Sequence, residues 1–452
     1  MDFEAITEVV IQKEEVMNNL SKYPSQFSDR HNYTGSELWI NELHLILEFD
    51  GKLDQNRLKK SLRLLIDAEP LLGTCFVKHW LKPYWKRLPE NELNSVTLLD
   101  VVDESTKEEQ SDIFFRDHID LTKGPQIKSL LISGKKKDCF ILKIQHLMCD
   151  AGGFKSLLNL FSDIYSKLGA NPEYKPVTNT GSRSLHQVYS RFAFIELLRI
   201  FWHGILELSS FSFPFKAIKY SSNWDKTNNL SYVFKRFPKE RVLKIKQYAQ
   251  QKGVTINDLF ASALLRAMVK QLNLNNRGWL RLAGTVDLRR YLPGQKTEGL
   301  CQASSAYAIN IKTEQCINHD DTLAIVKKQM DHYKKNFIGL GFILVYWIST
   351  KPFPFFFFNR LGRIICKIGK WIGTTSIGFT NLGIIDNKTN NFGSIPLLSA
   401  EMTSPGSVPP MFICALSGFD ETLTLNAGVF ETAILKDKIK ELFDLVDQEL
   451  PN

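Results

Sequence analysis

The sequence predicts an α+β protein of two lobes, on three observations. Alternating apolar and polar residues, the period of a strand with one face in a core, recur in both halves of the chain. They run through Leu43, Leu45, Leu47 and Phe49, through Phe140, Leu142 and Ile144, and later through Leu280 to Val286, Ala303 to Ile311 and Thr422 to Leu425. Between them stand segments with apolar residues at helical spacing. The chain has 452 residues, 44% of them apolar, enough for one large core or two ordinary ones. Strand–helix units in both halves make two lobes the economical architecture. The expected division is 1–180, a connecting segment 181–225, and 226–452.

In the first part, the strand ending at Phe49 is followed by a turn at Asp50-Gly51 and a helix with Leu58, Leu62, Leu65 and Ile66 on one face. Pro70 and Gly73 end that helix before a strand from Thr74 to Val77. Lys135-Lys136-Lys137-Asp138 reads as a hairpin tip leading into the strand that reaches Ile144 and Gln145, where Ile141, Lys143 and Gln145 form its second, polar-leaning face. The next helix carries Phe154, Leu157, Leu158, Phe161, Tyr165 and Leu168, with Gly169 as its stop. Asn171 to Leu185 is rich in Pro, Asn, Thr, Gly and Ser and reads as a linker. The apolar, aromatic stretch Phe192 to Phe215 is interrupted by Glu196, Arg199, His203 and Glu207. That pattern predicts a helix with a wide buried face lying along the lobe junction, not a membrane span.

In the second part, Thr255 and Asp258 form a capping box ahead of a stripe of Phe260, Ala263, Leu264 and Ala267. The last helix presents Ile439, Leu442, Phe443 and Val446. Phe337 to Phe358 is long enough to cross a bilayer, but Pro352 and Pro354 break it, Gly339 and Gly341 loosen it, and Lys351 sits inside it. Arg360 to Trp371 is basic and amphipathic. It is expected to be a surface helix resting on an apolar core, with contact to a membrane surface left open.

Composition excludes several classes of function. Fifty-seven Lys and Arg against 48 Asp and Glu give a net charge of +9, dispersed and interleaved with acids. This argues against a nucleic-acid stripe and suits anionic ligands such as coenzyme A or an acidic carrier protein, although a solvated basic surface explains it as well. Cys75, Cys139, Cys149, Cys301, Cys316, Cys366 and Cys414 are widely spaced, with no C-x-x-C pair. They read as small buried residues in a reducing cytosol, not as a disulfide frame or a zinc site. Met1-Asp2-Phe3-Glu4 carries acids where an export signal needs cations, so a cytoplasmic location is expected.

His146 sits where the strand through Ile144 ends, four residues before Asp150, with Gly152 and Gly153 following. A base needs that setting: rigid support below, open space above and little bulk nearby. The run Ile144 to Phe154 resembles the HHxxxDG signature of the chloramphenicol-acetyltransferase-like acyltransferases, the superfamily that includes peptide-synthetase condensation domains and alcohol acyltransferases. His146 matches the second His and Asp150 the acid. Gln145 stands in place of the first His, and Ala151 in place of the Gly. The opening from residue 36 to Val77 resembles the start of that superfamily. Gly284 to Pro293 resembles its "vDlR.ylp" segment, and Gly378 to Gly383 its "SNLG" element with Thr380 in the Ser position. The four segments occur in family order.

The resemblance implies two chloramphenicol-acetyltransferase-like lobes with a substrate tunnel at their junction, and an acyltransferase activity. An acyl thioester enters from one side and an alcohol or amine from the other. His146 is the general base. No covalent acyl-enzyme is needed, so Cys149 is left to packing. Asp150 is structural, paired with Arg289 in preference to Arg290. Gly152, Gly153, Thr380 and Asn381 are expected to bind substrate, through backbone N–H groups around Ala151 to Gly153 and the polar strand end. Coenzyme A thioester is the expected co-substrate, with no permanent cofactor and no metal. Three classes stay open: a coenzyme A-dependent transferase, a condensation enzyme served by a carrier protein, and an inactive relative that binds a lipophilic ligand. The 31 Phe and the two apolar regions suggest a lipophilic acyl chain or acceptor, although a large core accounts for much of them. A monomer is expected.

Overall fold

A computed structural model describes residues 22–36, 38–212, 230–274, 278–372, 377–387, 390, 392–408, 411–430 and 436–451. Met1 to Glu4 and the 213–225 part of the connecting segment lie outside the described residues. The strands that position the site are β1 (Trp39–Ile40), β2 (Glu42–Phe49), β3 (Leu99–Asp103), β4 (Ile127–Ser133), β5 (Asp138–Gln145), β6 (Leu230–Phe237) and β7 (Trp279–Asp287). After them come β8 (Ser304–Lys312), β9 (Ile377–Ile385), β10 (Leu397–Met402), β11 (Gly406–Ser407), β12 (Phe412–Phe419) and β13 (Thr422–Phe430). The helices used below are α1 (Phe27–Gly35), α2 (Gln55–Ala68), α3 (Ala151–Ala170), α4 (Phe194–Ser212), α5 (Ile256–Gln271), α6 (His319–Lys335), α7 (Leu340–Thr350), α8 (Phe355–Ile372) and α9 (Lys436–Glu449).

Two sheets organise the molecule, in a mixed fold of two lobes. The first is five-stranded in the order β10-β2-β5-β4-β3, and the second is eight-stranded, β8-β7-β9-β12-β13-β11-β1 with β6 on the other side of β13. Each sheet takes a strand from the other half of the sequence. β10 pairs with β2, Ala400 opposite Leu47, and β1 closes the far edge of the second sheet against β11. The exchange ties the lobes through backbone hydrogen bonds, so their junction is fixed by sheet geometry.

The expected alternation in β2 and β5 is present. Leu43, Leu45, Leu47, Phe49, Phe140, Leu142 and Ile144 face one core together with α2 and α3. What the pattern does not give is the other face. It reads as half-buried, yet β5 is buried on both sides, and Lys143 has no exposed side-chain surface. Its ammonium donates to the carbonyls of Phe114 and Asp117, the latter at 2.8 Å, and lies 3.9 Å from Glu42. A polar residue in a strand marks water only when nothing else satisfies it; here backbone carbonyls do. Ile141 meanwhile joins a core shared with β6, β7, β12, α5, α6 and α9.

Helices follow their sequence signals, with corrections. Phe154, Leu157, Leu158, Phe161, Tyr165 and Leu168 are all buried along α3, each worth about 1.5–3 kcal/mol of burial. Gly169 does not stop this helix. It lies within it, and a Cβ there would come 2.8 Å from Arg57, so its smallness serves packing. Thr255 and Asp258 form the capping box of α5, with both reciprocal bonds made. Beyond that cap α5 is buried all round from Asp258 to Val269, not along one stripe, because β-strands, α6 and α9 surround it.

Of the apolar regions, Phe337 to Phe358 breaks where its prolines predict, whereas α4 and α8 turn their apolar faces outward. Phe337 to Phe358 divides at Pro352 and Pro354 into α7 and the start of α8, and no described helix is long and apolar enough to cross a membrane. Among the described side chains of α4 the buried positions are Ile200, Gly204 and Glu207, with Gly204 seated against Gly341 of α7 and Glu207 accepting from Phe342 N at 2.9 Å. Phe194, Ile195, Trp202 and Leu206 are exposed, so the wide buried face is narrow and the broad apolar face points outward. The same inversion holds in α8, where Leu361, Ile364, Ile365 and Ile368 face solvent instead of an apolar core.

Candidate active site

β5 carries the site to the lobe junction. β2 pairs with it in register, Glu42 opposite Gln145, and the ladder continues past the strand end through His146 N donating to Asn41 O at 2.8 Å. His146 is thereby fixed by backbone before its side chain is considered. Leu147, Met148 and Cys149 turn the chain inward, fully buried. Asp150 is then the N-cap of α3, accepting from Gly153 N at 2.9 Å.

Asp150 does more than cap. Its carboxylate receives Arg289 Nη1 at 2.8–2.9 Å and Ala303 N at 2.7 Å, and is 4% exposed. Arg289 follows β7 in a short 3-10 turn and also donates to Cys301 O at 3.0 Å and to Asp287 Oδ1 at 3.1 Å. One carboxylate thus joins the first turn of α3, the end of β7 and the approach to β8. Burial pushes the Asp150 carboxyl up, but the Arg289 charge and the N–H donors outweigh it and hold it below the usual carboxylate range. Arg290 has no part in this contact; the chain places Arg289 there.

The imidazole is set by its neighbours. Nδ1 lies 2.9 Å from Cys149 O. The Gln302 amide nitrogen approaches both His146 O and Cys149 O, the latter at 3.0 Å, so its hydrogens are taken by carbonyls and it has none for Nδ1, 2.9 Å away. Nδ1 therefore keeps its own proton, donated to Cys149 O, and Nε2 carries the lone pair. Burial lowers the pKa of His146 from 6.5, against smaller upward pulls from Cys149 O and Asp150, so the ring is neutral at neutral pH. Cys149 is fully buried and its thiol is pushed well up by burial, which removes it as a nucleophile.

His146 opens onto a cavity of about 380 Å³ lined from both halves of the chain. Asp150, Ala151, Gly152 and Lys155 line it from α3, Ala283 to Asp287 from β7, Gly378 to Gly383 from β9, and Phe27, His31 and Asn32 from α1. Thr380 and Asn381 therefore share the cavity with His146. Thr380 Oγ1 is 2.6 Å from Thr285 Oγ1, and Asn381 Oδ1 accepts from Gly383 N at 2.9 Å, in a bulge where Gly383 has φ 78°. No acceptor for the Asn381 amide N–H₂ is found among the described residues. Gly153 does not line the cavity and its N–H is taken by Asp150. Of the N–H groups at positions 151 to 153, those of Ala151 and Gly152 are the two without an acceptor among the described residues. Gln302, Lys155 and His31 carry no motif or periodicity that marks them in the sequence; each enters the site only because distant segments converge.

Positions 151 to 153 answer what Ala151 does. None of them has a positive φ, so Gly152 and Gly153 do not supply backbone freedom. They supply proximity. A Cβ on Gly152 would lie 2.6 Å from Asp287 Oδ2 and 2.7 Å from Arg289 Nη1, and one on Gly153 2.5 Å from Cys149 Cβ. Ala151 is the first residue of α3, where alanine is conformationally ordinary, and its methyl adds bulk to the cavity wall. Gly152→Ala is expected to cost about 1–3 kcal/mol of stability by overpacking, read as a shift in the denaturant midpoint; Ala151→Gly should shift it by no more than about 1 kcal/mol.

Comparison with known proteins gives the family and the fold. The family model for the condensation domain matches residues 30–277. A 131-residue stretch is 26% identical to bacitracin synthase 1 of Bacillus licheniformis; it makes up 28% of this chain and only 2% of that much longer protein. Among solved structures, trichothecene 15-O-acetyltransferase of Fusarium sporotrichioides superposes with a TM-score of 0.67 at 11% identity, over 95% of both chains. The first condensation domain of the calcium-dependent antibiotic synthetase, in complex with a substrate analogue, gives 0.66 at 13% identity, again over 95% of each chain. A variant of the starter condensation domain of rhizomide synthetase, in complex with C8-CoA, gives 0.66 at 12% identity over 97% of this chain and 96% of that one. At these identities the superpositions establish the fold.

Proposed function

This chain belongs to the condensation-domain family, and from that premise we propose that it is an acyltransferase moving an acyl group from a coenzyme A thioester to an alcohol or amine. The observation that carries the reading is His146 itself, a neutral imidazole with its lone pair at Nε2, fixed at the wall of a cavity that both lobes line. As the acceptor oxygen or nitrogen forms its bond to the acyl carbon, Nε2 takes the proton. The tetrahedral oxyanion is met by the N–H groups of Ala151 and Gly152 and by the Asn381 amide. When the C–S bond breaks, the imidazolium returns the proton to the thiolate. Both substrates are held together, so no acyl-enzyme forms and Cys149 is not called on.

Coenzyme A is favoured as donor by two similar folds: one is named as an acetyltransferase and another binds C8-CoA. At the α1 and α7 end of the cavity Phe27, Phe342 and Ile343, set among Ser28, His31 and Asn32, suit a lipophilic acyl chain or acceptor. A carrier-protein donor is the second reading, favoured by the match to the condensation-domain model and to bacitracin synthase 1. Acyl-CoA and acyl-carrier donors, each paired with alcohol and amine acceptors, separate the two by thiol release. Turnover is expected with acyl-CoA and lost in His146→Ala. Turnover with carrier-bound donors alone transfers the reading to the second class. No binding or turnover of any thioester, with His146→Ala indistinguishable from the parent, leaves a ligand-binding relative and rejects both.

A further inference from the structure

Among the described residues nothing covers the outward apolar face of α8, and its surroundings say what would. From Ile338 through Ile385 the sequence contains no Asp or Glu but has Lys351, Arg360, Arg363, Lys367 and Lys370. Arg363 turns inward over the Tyr33 ring, whereas Arg360 and Lys367 are exposed and two helical turns apart, on one side of the helix. Between and beside them Phe356 and Ile365 are each 59% exposed.

The end of this face is built, not frayed. The loop after Val77 is pinned to the start of α8, with Phe355 N donating to Leu81 O at 3.0 Å and Phe356 N to Trp80 O at 2.9 Å. Trp80, 65% exposed, is thereby held beside Phe356, and Phe353 stacks on Phe357 with ring centroids 5.3 Å apart. The opposite side of α8 is seated on α1, where Gly362 lies against Thr34, and α1 in turn lines the His146 cavity. An acid-free basic helix with bulky apolar residues outward and aromatic rings at one end is what the interface of an anionic bilayer binds: rings and aliphatics enter the acyl boundary while cations meet phosphate. A second copy of the same face would set cation against cation, which disfavours self-association through it.

We propose that the α8 face, with Trp80 at its edge, docks this protein on an anionic lipid surface. The test is flotation of the full chain with phosphatidylcholine vesicles, with and without phosphatidylglycerol. Co-flotation is expected with the anionic vesicles and much less with the neutral ones. The pair Phe356→Ser and Phe357→Ser should lower partitioning about tenfold or more, and Arg360→Glu with Lys367→Glu should abolish the preference for phosphatidylglycerol. These side chains are solvent-facing, so thermal melts should stay at the parent value and show that lost flotation is not unfolding. Absence of flotation, equal flotation with both vesicles, or unchanged flotation of the apolar variant overturns the proposal. So does a dimer in analytical ultracentrifugation that the apolar variant dissociates, since a second copy would then be the occupant.

Discussion

Replacing His146 with Ala is expected to lower kcat/KM by a factor of about 10²–10⁴, the usual contribution of a positioned base, with folding unchanged. The ring is not a structural keystone. Its backbone N–H pairs with Asn41 whatever the side chain, and Gln302 still bridges the carbonyls of residues 146 and 149. A small change in KM alongside a large fall in kcat is the signature of an interaction made at the transition state. If activity rests on Cys149 instead, Cys149→Ala abolishes it and His146→Ala does not.

The same residue sets the pH dependence. A base works when unprotonated, so the rate should rise with pH through the His146 pKa and then level. Burial lowers that pKa from 6.5, which places the midpoint of the acid limb below 6.5 and the plateau at neutral pH. In linkage terms a lowered folded pKa for a cation means that protonation opposes folding, and acid destabilises the site as well as silencing it. A pH profile of kcat/KM with its midpoint above 6.5 would exclude His146 as the titrating base.

Much of the fold was legible because strands and helices announce themselves by period. β2, β5, α3 and α9 stand where their apolar spacing puts them. The exchange of β10 and β1 between sheets was not legible, since a strand's pattern says that one face is buried but not which sheet it joins. Polar residues misled in the opposite sense to apolar ones. Lys143 read as solvent and is interior; Ile364 and Trp202 read as interior and face solvent. In each case what decides lies outside the local sequence: the carbonyls of Phe114 and Asp117 for Lys143, and for the other two the lack of a covering element among the described residues. At the site, His146 and Asp150 from the one run and Thr380 and Asn381 from the SNLG-like element line one cavity, while Gln302, whose amide bridges the carbonyls of His146 and Cys149, carries no signal in the sequence.

Breaking the Asp150–Arg289 pair should produce the largest stability effect in the molecule, and the order of variants distinguishes its role. Arg289→Met leaves a buried carboxylate with two backbone donors and no counter-charge; removing one partner of a buried pair costs about 3–5 kcal/mol. Asp150→Asn should cost less. The Asn side-chain oxygen can still cap α3 through Gly153 N, and Arg289 keeps Asp287 Oδ1 and Cys301 O. Asp150→Ala, which removes both cap and pair, should fall near Arg289→Met. Combining Asp150→Asn with Arg289→Met should be less damaging than the sum of the two, because no unpaired charge remains. Acidification provides the same test without mutation. The folded Asp150 pKa lies below its ordinary 3.8, so the pair contributes fully above that value, and its contribution falls away as pH drops through the folded pKa. The parent should therefore lose more stability across that acid window than Asp150→Asn, in which only the other titrating groups, His146 among them, still respond. If Asp150→Asn equals the parent in stability and in turnover at neutral pH, the carboxylate is not the clamp that holds His146 and the first turn of α3 against the second lobe.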